Sequence, residues 1–189
     1  DLKASHKDRK VNDQFDKWLQ DNYGEHGEVM IHRGKIHEYL GMEIDYTAKG
    51  KVKISMFDYI KEILKAFVIA EPKGAGTKSS AAPDNLFMVN EDCIKVSPEK
   101  VVQFHNIVAK TFYATKLARP DTCTAIAFLT TRVRAPDTDD WKKLAHLMRY
   151  LRGTHKMPLT LSANGSGILK WWVDASFAVH PNLRGHSGG

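Results

Sequence analysis

The sequence predicts an α+β fold, and three observations lead there. The spacing of apolar residues is helical near the start, alternates over residues 28–56, and returns to helical spacing afterwards. Glycines and prolines stand where the period changes. With 42% hydrophobic and 26% charged residues and only 7 prolines in 189, the chain has enough apolar side chains for one domain or two small ones.

The opening "VNDQFDKWLQDNYG" places Val11, Phe15, Trp18 and Leu19 at helical spacing, with Gly24 as a stop. "EVMIHRGKIHEYLGMEIDYTAKGKVKISM" alternates, and Arg33-Gly34 and Lys49-Gly50 divide it into three short antiparallel strands. "FDYIKEILKAF" gathers Phe57, Ile60, Ile63, Leu64 and Phe67 into one helical stripe. Residues 71–97, rich in Gly, Ser, Ala and Pro, read as a linker. Three helices follow. The first is capped by Ser97 and carries Pro98 in its opening turn; the second comes after Arg119-Pro120; the third runs from Thr138 to Arg152 and ends at Gly153. Trp141 lies on the apolar stripe of that third helix and belongs to a core. Asn164-Gly165 then reverses the chain into an apolar strand, Ile168–Val173, which delivers Asp174.

No stretch reaches the roughly 20 apolar residues of a membrane span, and "DLKASHKDRK" has no apolar signal core. Cys93 and Cys123 have no CxxC spacing, and an intracellular, reducing setting is expected. The net charge of +6 is localised: residues 98–156 hold 11 Lys/Arg against 5 Asp/Glu, whereas residues 1–97 hold 15 against 16. Such a surplus can neutralise phosphates, and it can also be an ordinary solvated face.

Several stretches resemble, in order, the Pol polyprotein of copia-type long-terminal-repeat retrotransposons. They are "HEYLGMEIDY", "YIKEIL", "LARPDTCTAIAFLTTRVRAPDTDDWKKLAHLMRYLRGT" and "WWVDASFAVHPNLRGHSGG". The resemblance implies the end of a reverse transcriptase palm with a thumb helix over residues 1–70, a linker over 71–97, a helical thumb and connection over 98–156, and the start of a ribonuclease H-like domain over 157–189. It implies that Asp1 is the second Asp of the polymerase Y-x-D-D box and Asp174 the first ribonuclease H carboxylate, both ligands of Mg²⁺ in the intact enzyme. Tyr39, Leu40 and Gly41 resemble the hairpin that grips the primer strand. Arg132, Arg134, Lys142, Lys143, Arg149 and Arg152 are the expected phosphate contacts to a template–primer duplex or RNA–DNA hybrid.

Two-metal phosphoryl transfer needs several carboxylates from different elements. Since Asp1 and Asp174 are the only members of the two sets that the resemblance places in this sequence, it is expected to catalyse neither DNA synthesis nor hybrid cleavage alone and to depend on the remainder of the polyprotein. The resemblance also implies a cytoplasmic, virus-like-particle location or a nuclear one, with no membrane partner. A small basic protein that binds nucleic acid without sequence preference, and a transposon relic with no function, are the alternative readings.

Overall fold

The computed structural model describes residues 2–68, 76, 79–168, 170–177 and 185–188. Helix α1 (Arg9–Tyr23) is capped by Asp8, whose carboxylate accepts the Lys10 amide at 3.0 Å. Its apolar stripe stays outside the core: Phe15 and Leu19 are half-buried, and Trp18, stacked on Phe15, is half exposed. Gly24 does not end α1 in a left-handed turn. It keeps a right-handed conformation and leads into the 3₁₀ turn Gly24–His26.

Three strands follow, β1 (Ile36–Tyr39), β2 (Met42–Asp45) and β3 (Lys51–Ser55), but they are not the three that the turn signals outline. Residues 28–33 form no strand; Arg33 is instead ion-paired with Asp13 (2.8 Å) and Asp16 of α1. The extra reversal falls inside the run that reads as one strand. Tyr39 faces Met42 across a two-residue loop, with Leu40 at φ 51° and Gly41 at φ 75°. Both central residues are left-handed, which matches the right-handed twist of the flanking strands.

The sheet order is β1-β2-β3-β4, all antiparallel, where β4 is Leu159–Ser162. The chain therefore leaves the sheet after β3, builds its remaining helices, and returns to cover the open edge of β3. Leu159 and Leu161 sit opposite Ile54 and Val52, so the alternation of the two strands is in phase. Residues 157–189, grouped by the sequence, thus divide between this sheet and a separate pair of strands.

Four further helices among the described residues share a core with the sheet: α2 (Phe57–Val68), α3 (Pro98–Leu117), α4 (Cys123–Arg132) and α5 (Thr138–Thr154). Ile60, Ile63, Leu64 and Phe67 of α2 are buried as their spacing predicts, and Phe67 stacks on Trp141 with centroids 5.9 Å apart. Met42 and Ile44 carry the sheet face into the same core, joined by Phe104, Ile126, Phe128, Leu144, Leu147 and Leu151. Helix α5 runs past Gly153 to Thr154, so that glycine is interior to the helix and not its stop.

Among the residues read as linker, the segment from 79 onward is anchored to the helices at several points. Ala81 and Leu86 are buried, the Ser80 carbonyl lies 2.8 Å from the His146 ring, and the Thr138 amide donates to Ile94 at 3.0 Å. A turn closed by the Leu86 amide on the Pro83 carbonyl delivers Leu86 singly, so no repeating apolar period announces it. The apolar stretch before Asp174 also departs from expectation. Trp171, Trp172 and Val173 form no strand and are 76%, 78% and 78% exposed. Asp174 opens a shorter strand, β5 (Asp174–Ser176), paired with β6 (His186–Gly188). β4 pairs with β3, and with no strand directly after it Asn164-Gly165 is a bend and not the tip of a hairpin.

Replacing Leu86 by alanine tests whether this segment belongs to the core. Urea unfolding should show a loss of about 2–5 kcal/mol, as for a buried leucine. A change below about 0.5 kcal/mol would mark the segment as a surface linker.

Candidate nucleic-acid interface

The hairpin tip places two consecutive residues, Leu40 and Gly41, at positive φ. Tyr39 is half-buried against the core, Leu40 is 44% exposed, and Gly41 occupies a backbone conformation that side chains rarely adopt. The tip rests on α3, because the Tyr113 hydroxyl donates to the Leu40 carbonyl at 2.9 Å. Tyr113 is in turn set edge-on against Tyr59 of α2, with centroids 5.5 Å apart. Lys110 and Lys116, one turn to either side of Tyr113, are exposed. None of these three residues of α3 is marked by the sequence as a site; the signal was their i, i+3, i+6 spacing on one helix face.

The six predicted phosphate contacts fare unequally. Lys142 and Arg149 are exposed and seven residues apart on α5, hence on one face, and Arg134 is exposed in the α4–α5 connection. Arg152 is half-buried. Arg132 is turned inward: its guanidinium donates to both oxygens of Asp140 at 3.0 Å and to Asp137 at 3.2 Å. Lys143, expected off the apolar stripe, is only 3% exposed. It donates to the Met88 carbonyl, pairs with Asp139 at 2.8 Å, and lies over the Phe128 ring. Its four-carbon stem lets it lie among apolar neighbours while the ammonium reaches polar partners.

A second polar cluster holds the helices in register. Arg119, 1% exposed, donates through Nε and Nη2 to Asp121 (2.9 and 2.7 Å) and through Nη1 and Nη2 to the carbonyl and hydroxyl of Thr154 (3.2 and 2.7 Å). Tyr150 donates its hydroxyl to Asp121 at 2.7 Å, and the Thr154 hydroxyl donates to the Tyr150 carbonyl at 2.8 Å. The letters of "RPD" and "YLRGT" are therefore two halves of one clamp.

Of the two predicted catalytic carboxylates, Asp1 lies outside the described residues, and Asp174 is exposed with its own chain neighbour Ala175 donating to it at 2.8 Å. Among the described residues no group of three or more His, Cys, Asp or Glu could hold a metal ion. No helix among them is long and apolar enough to cross a membrane.

The chain is 28% identical over 162 residues to the retrovirus-related Pol polyprotein from transposon TNT 1-94 of Nicotiana tabacum. It is 24% identical over 156 residues to a putative transposon Ty5-1 protein of Saccharomyces cerevisiae. Both likenesses support a sequence derived from the Pol polyprotein of a copia-type retrotransposon. Each likeness covers 82% of this chain, which spans 12% of the tobacco polyprotein and 49% of the yeast protein. No protein-family model matches the chain, and no solved structure does.

Electrostatics separate the two polar clusters of this chain. Burial raises the Asp121 pKa, but hydrogen bonds from Arg119 and Tyr150 and the Arg119 charge outweigh it, so the carboxyl ends below its ordinary value. Tyr150 shifts upward, through burial first and then its bond to Asp121. In the α5 capping box, where the Asp137 side chain accepts the Asp140 amide and the Asp140 side chain accepts the Asp137 amide, the two carboxylates part. Burial opposes ionisation of both. Asp137 is nevertheless lowered by backbone hydrogen bonds and Arg132, whereas for Asp140 burial prevails and its pKa rises.

A depressed Asp121 contributes stability above the ordinary carboxylate pKa of about 3.9, and that contribution is lost as pH falls through the lower folded value. Asp121→Asn should therefore cost about 3 kcal/mol at pH 7, as breaking a buried ion pair does, and the difference from wild type should shrink below about pH 4. Denaturant unfolding at pH 7 and pH 3 measures both. An Asp121→Asn chain as stable as wild type at pH 7 would contradict the clamp.

Proposed function

We propose that this Pol-derived chain is the part of a reverse transcriptase that holds the template–primer, with the opening strand of ribonuclease H at Asp174. In this reading the β1–β2 hairpin contacts the primer strand, and α2 with α3–α5 forms thumb and connection. The activity served is RNA-directed DNA synthesis with degradation of the RNA template, carried out by the whole polyprotein in a cytoplasmic particle or the nucleus. The observation that carries the proposal is the Tyr39–Gly41 tip: a two-residue turn with an unbranched, left-handed Gly41, docked on a helix that exposes lysines beside it. Glycine there leaves the backbone open to close approach by a sugar-phosphate, and exposed lysines bind phosphates without reading sequence.

Magnesium belongs, on this proposal, to carboxylates assembled in the whole enzyme. Asp174 stands exposed, and among the described residues no group of three or more His, Cys, Asp or Glu could hold a metal ion, which does not fit a two-metal site. What these residues do is bind and orient: the tip and α3 present one surface, and Lys142 and Arg149 of α5 another.

Titration of a labelled RNA–DNA hybrid at several salt concentrations tests the proposal. Binding should be weak, roughly 10⁻⁴–10⁻⁶ M near physiological salt, and fall steeply as salt rises. Lys142→Gln with Arg149→Gln should flatten the log–log salt slope by about 2, one contact each at about 0.9, without loss of helix. Lys143 is left intact in this test, because its replacement would unsettle the core. Absence of salt-dependent binding, or an unchanged slope in the double variant, would make the basic face a solvated surface only.

A further inference from the structure

Among the described residues, Leu40 is the one residue other than glycine with positive φ. A left-handed conformation is unfavourable for a leucine, and such strain persists where the surroundings hold it. The surroundings here supply one specific hold. In the β1–β2 hairpin the closing pair is Tyr39 with Met42, so the Leu40 carbonyl faces out of the ladder, and it accepts the Tyr113 hydroxyl at 2.9 Å. Tyr113 comes from a helix 73 residues away in the chain and is itself oriented by Tyr59.

We infer that Tyr113 is a positioning residue for the hairpin tip: its hydroxyl latches the strained Leu40 turn to α3, so that tip and helix meet a nucleic-acid strand as one rigid surface. The inference rests on the template–primer reading above and adds to it the residue that sets the tip's orientation. The latch acts through Leu40 and not by touching the strand. Without it the Leu40–Gly41 loop keeps its pairing but samples orientations away from α3, and affinity falls in proportion to the docked fraction. Lys110 and Lys116 stay where α3 holds them, so the loss is one of alignment and not of charge.

The test compares Tyr113→Phe with Thr130→Val in the 189-residue chain, using a labelled RNA–DNA hybrid at one low salt concentration. Thr130 donates its hydroxyl to the Ala127 carbonyl within α4, so its replacement also removes one side-chain hydrogen bond, but away from the tip. Tyr113→Phe should weaken hybrid binding about three- to fivefold, within the range that one neutral hydrogen bond confers, with no greater shift in thermal midpoint than Thr130→Val. Thr130→Val should bind as wild type does. Amide exchange across residues 39–42 should quicken in Tyr113→Phe alone. If wild type binds and Tyr113→Phe binds equally well, the latch is overturned while the template–primer reading stands. Equal weakening by both variants would make Tyr113 a contributor to stability only and would also overturn the latch. If wild type does not bind the hybrid even at this low salt concentration, the template–primer reading fails and the latch with it.

Discussion

A fully buried guanidinium sets the frame of this molecule. Arg119 lies where α3 ends and a 3₁₀ turn begins, and its donors are divided between Asp121, two residues on, and the last residue of α5. A buried charge without partners is costly, so the two helix ends must meet in the one arrangement that satisfies it. That arrangement fixes where the chain leaves α5, and five residues later β4 pairs with β3. Through β3 it reaches β2 and the hairpin, and through α3 it reaches Tyr113, so both supports of the tip trace back to the same clamp.

The same physics decides which basic residues remain for a partner. Charge counting finds a surplus over residues 98–156, yet Arg119, Arg132 and Lys143 are bound to carboxylates or carbonyls inside the fold. What stays exposed is Lys110 and Lys116 beside the hairpin tip, Lys142 and Arg149 on α5, Arg134 in the α4–α5 connection and Lys156 just after α5. A basic segment is therefore a structural cement and a candidate binding face at once, and only the packing separates the two.

Much of the fold was legible because local chemistry wrote it. The α+β class is observed, as are the amphipathic stripe of α2, the Ser97–Pro98 start of α3, the break at Arg119-Pro120 and the core position of Trp141. What escaped was set by partners distant in sequence. The Leu40–Gly41 reversal interrupts an alternation that continues through it, and its latch lies on another element. Gly153 stays helical because Thr154 caps the end of α5 from inside, with Arg119 holding its carbonyl. Lys143 looked like surface because lysine is seldom buried, but a carbonyl delivered by the supposed linker receives it. The run Trp171–Val173 has strand composition but forms no strand, and β4, its expected hairpin partner, pairs with β3.

The central claim is that the Arg119 clamp supports the sheet as well as the helices. Native-state hydrogen exchange on an Arg119→Met chain tests it most directly, with protection read at α3, at α5 and along β3 and β4. The account predicts that amides of all four elements lose protection together, with those of Ile54 and Leu161 falling by a factor similar to those of Ile107 and Leu147. Loss of protection confined to residues 119–122 and 150–155, with β3 and β4 unchanged, would contradict it.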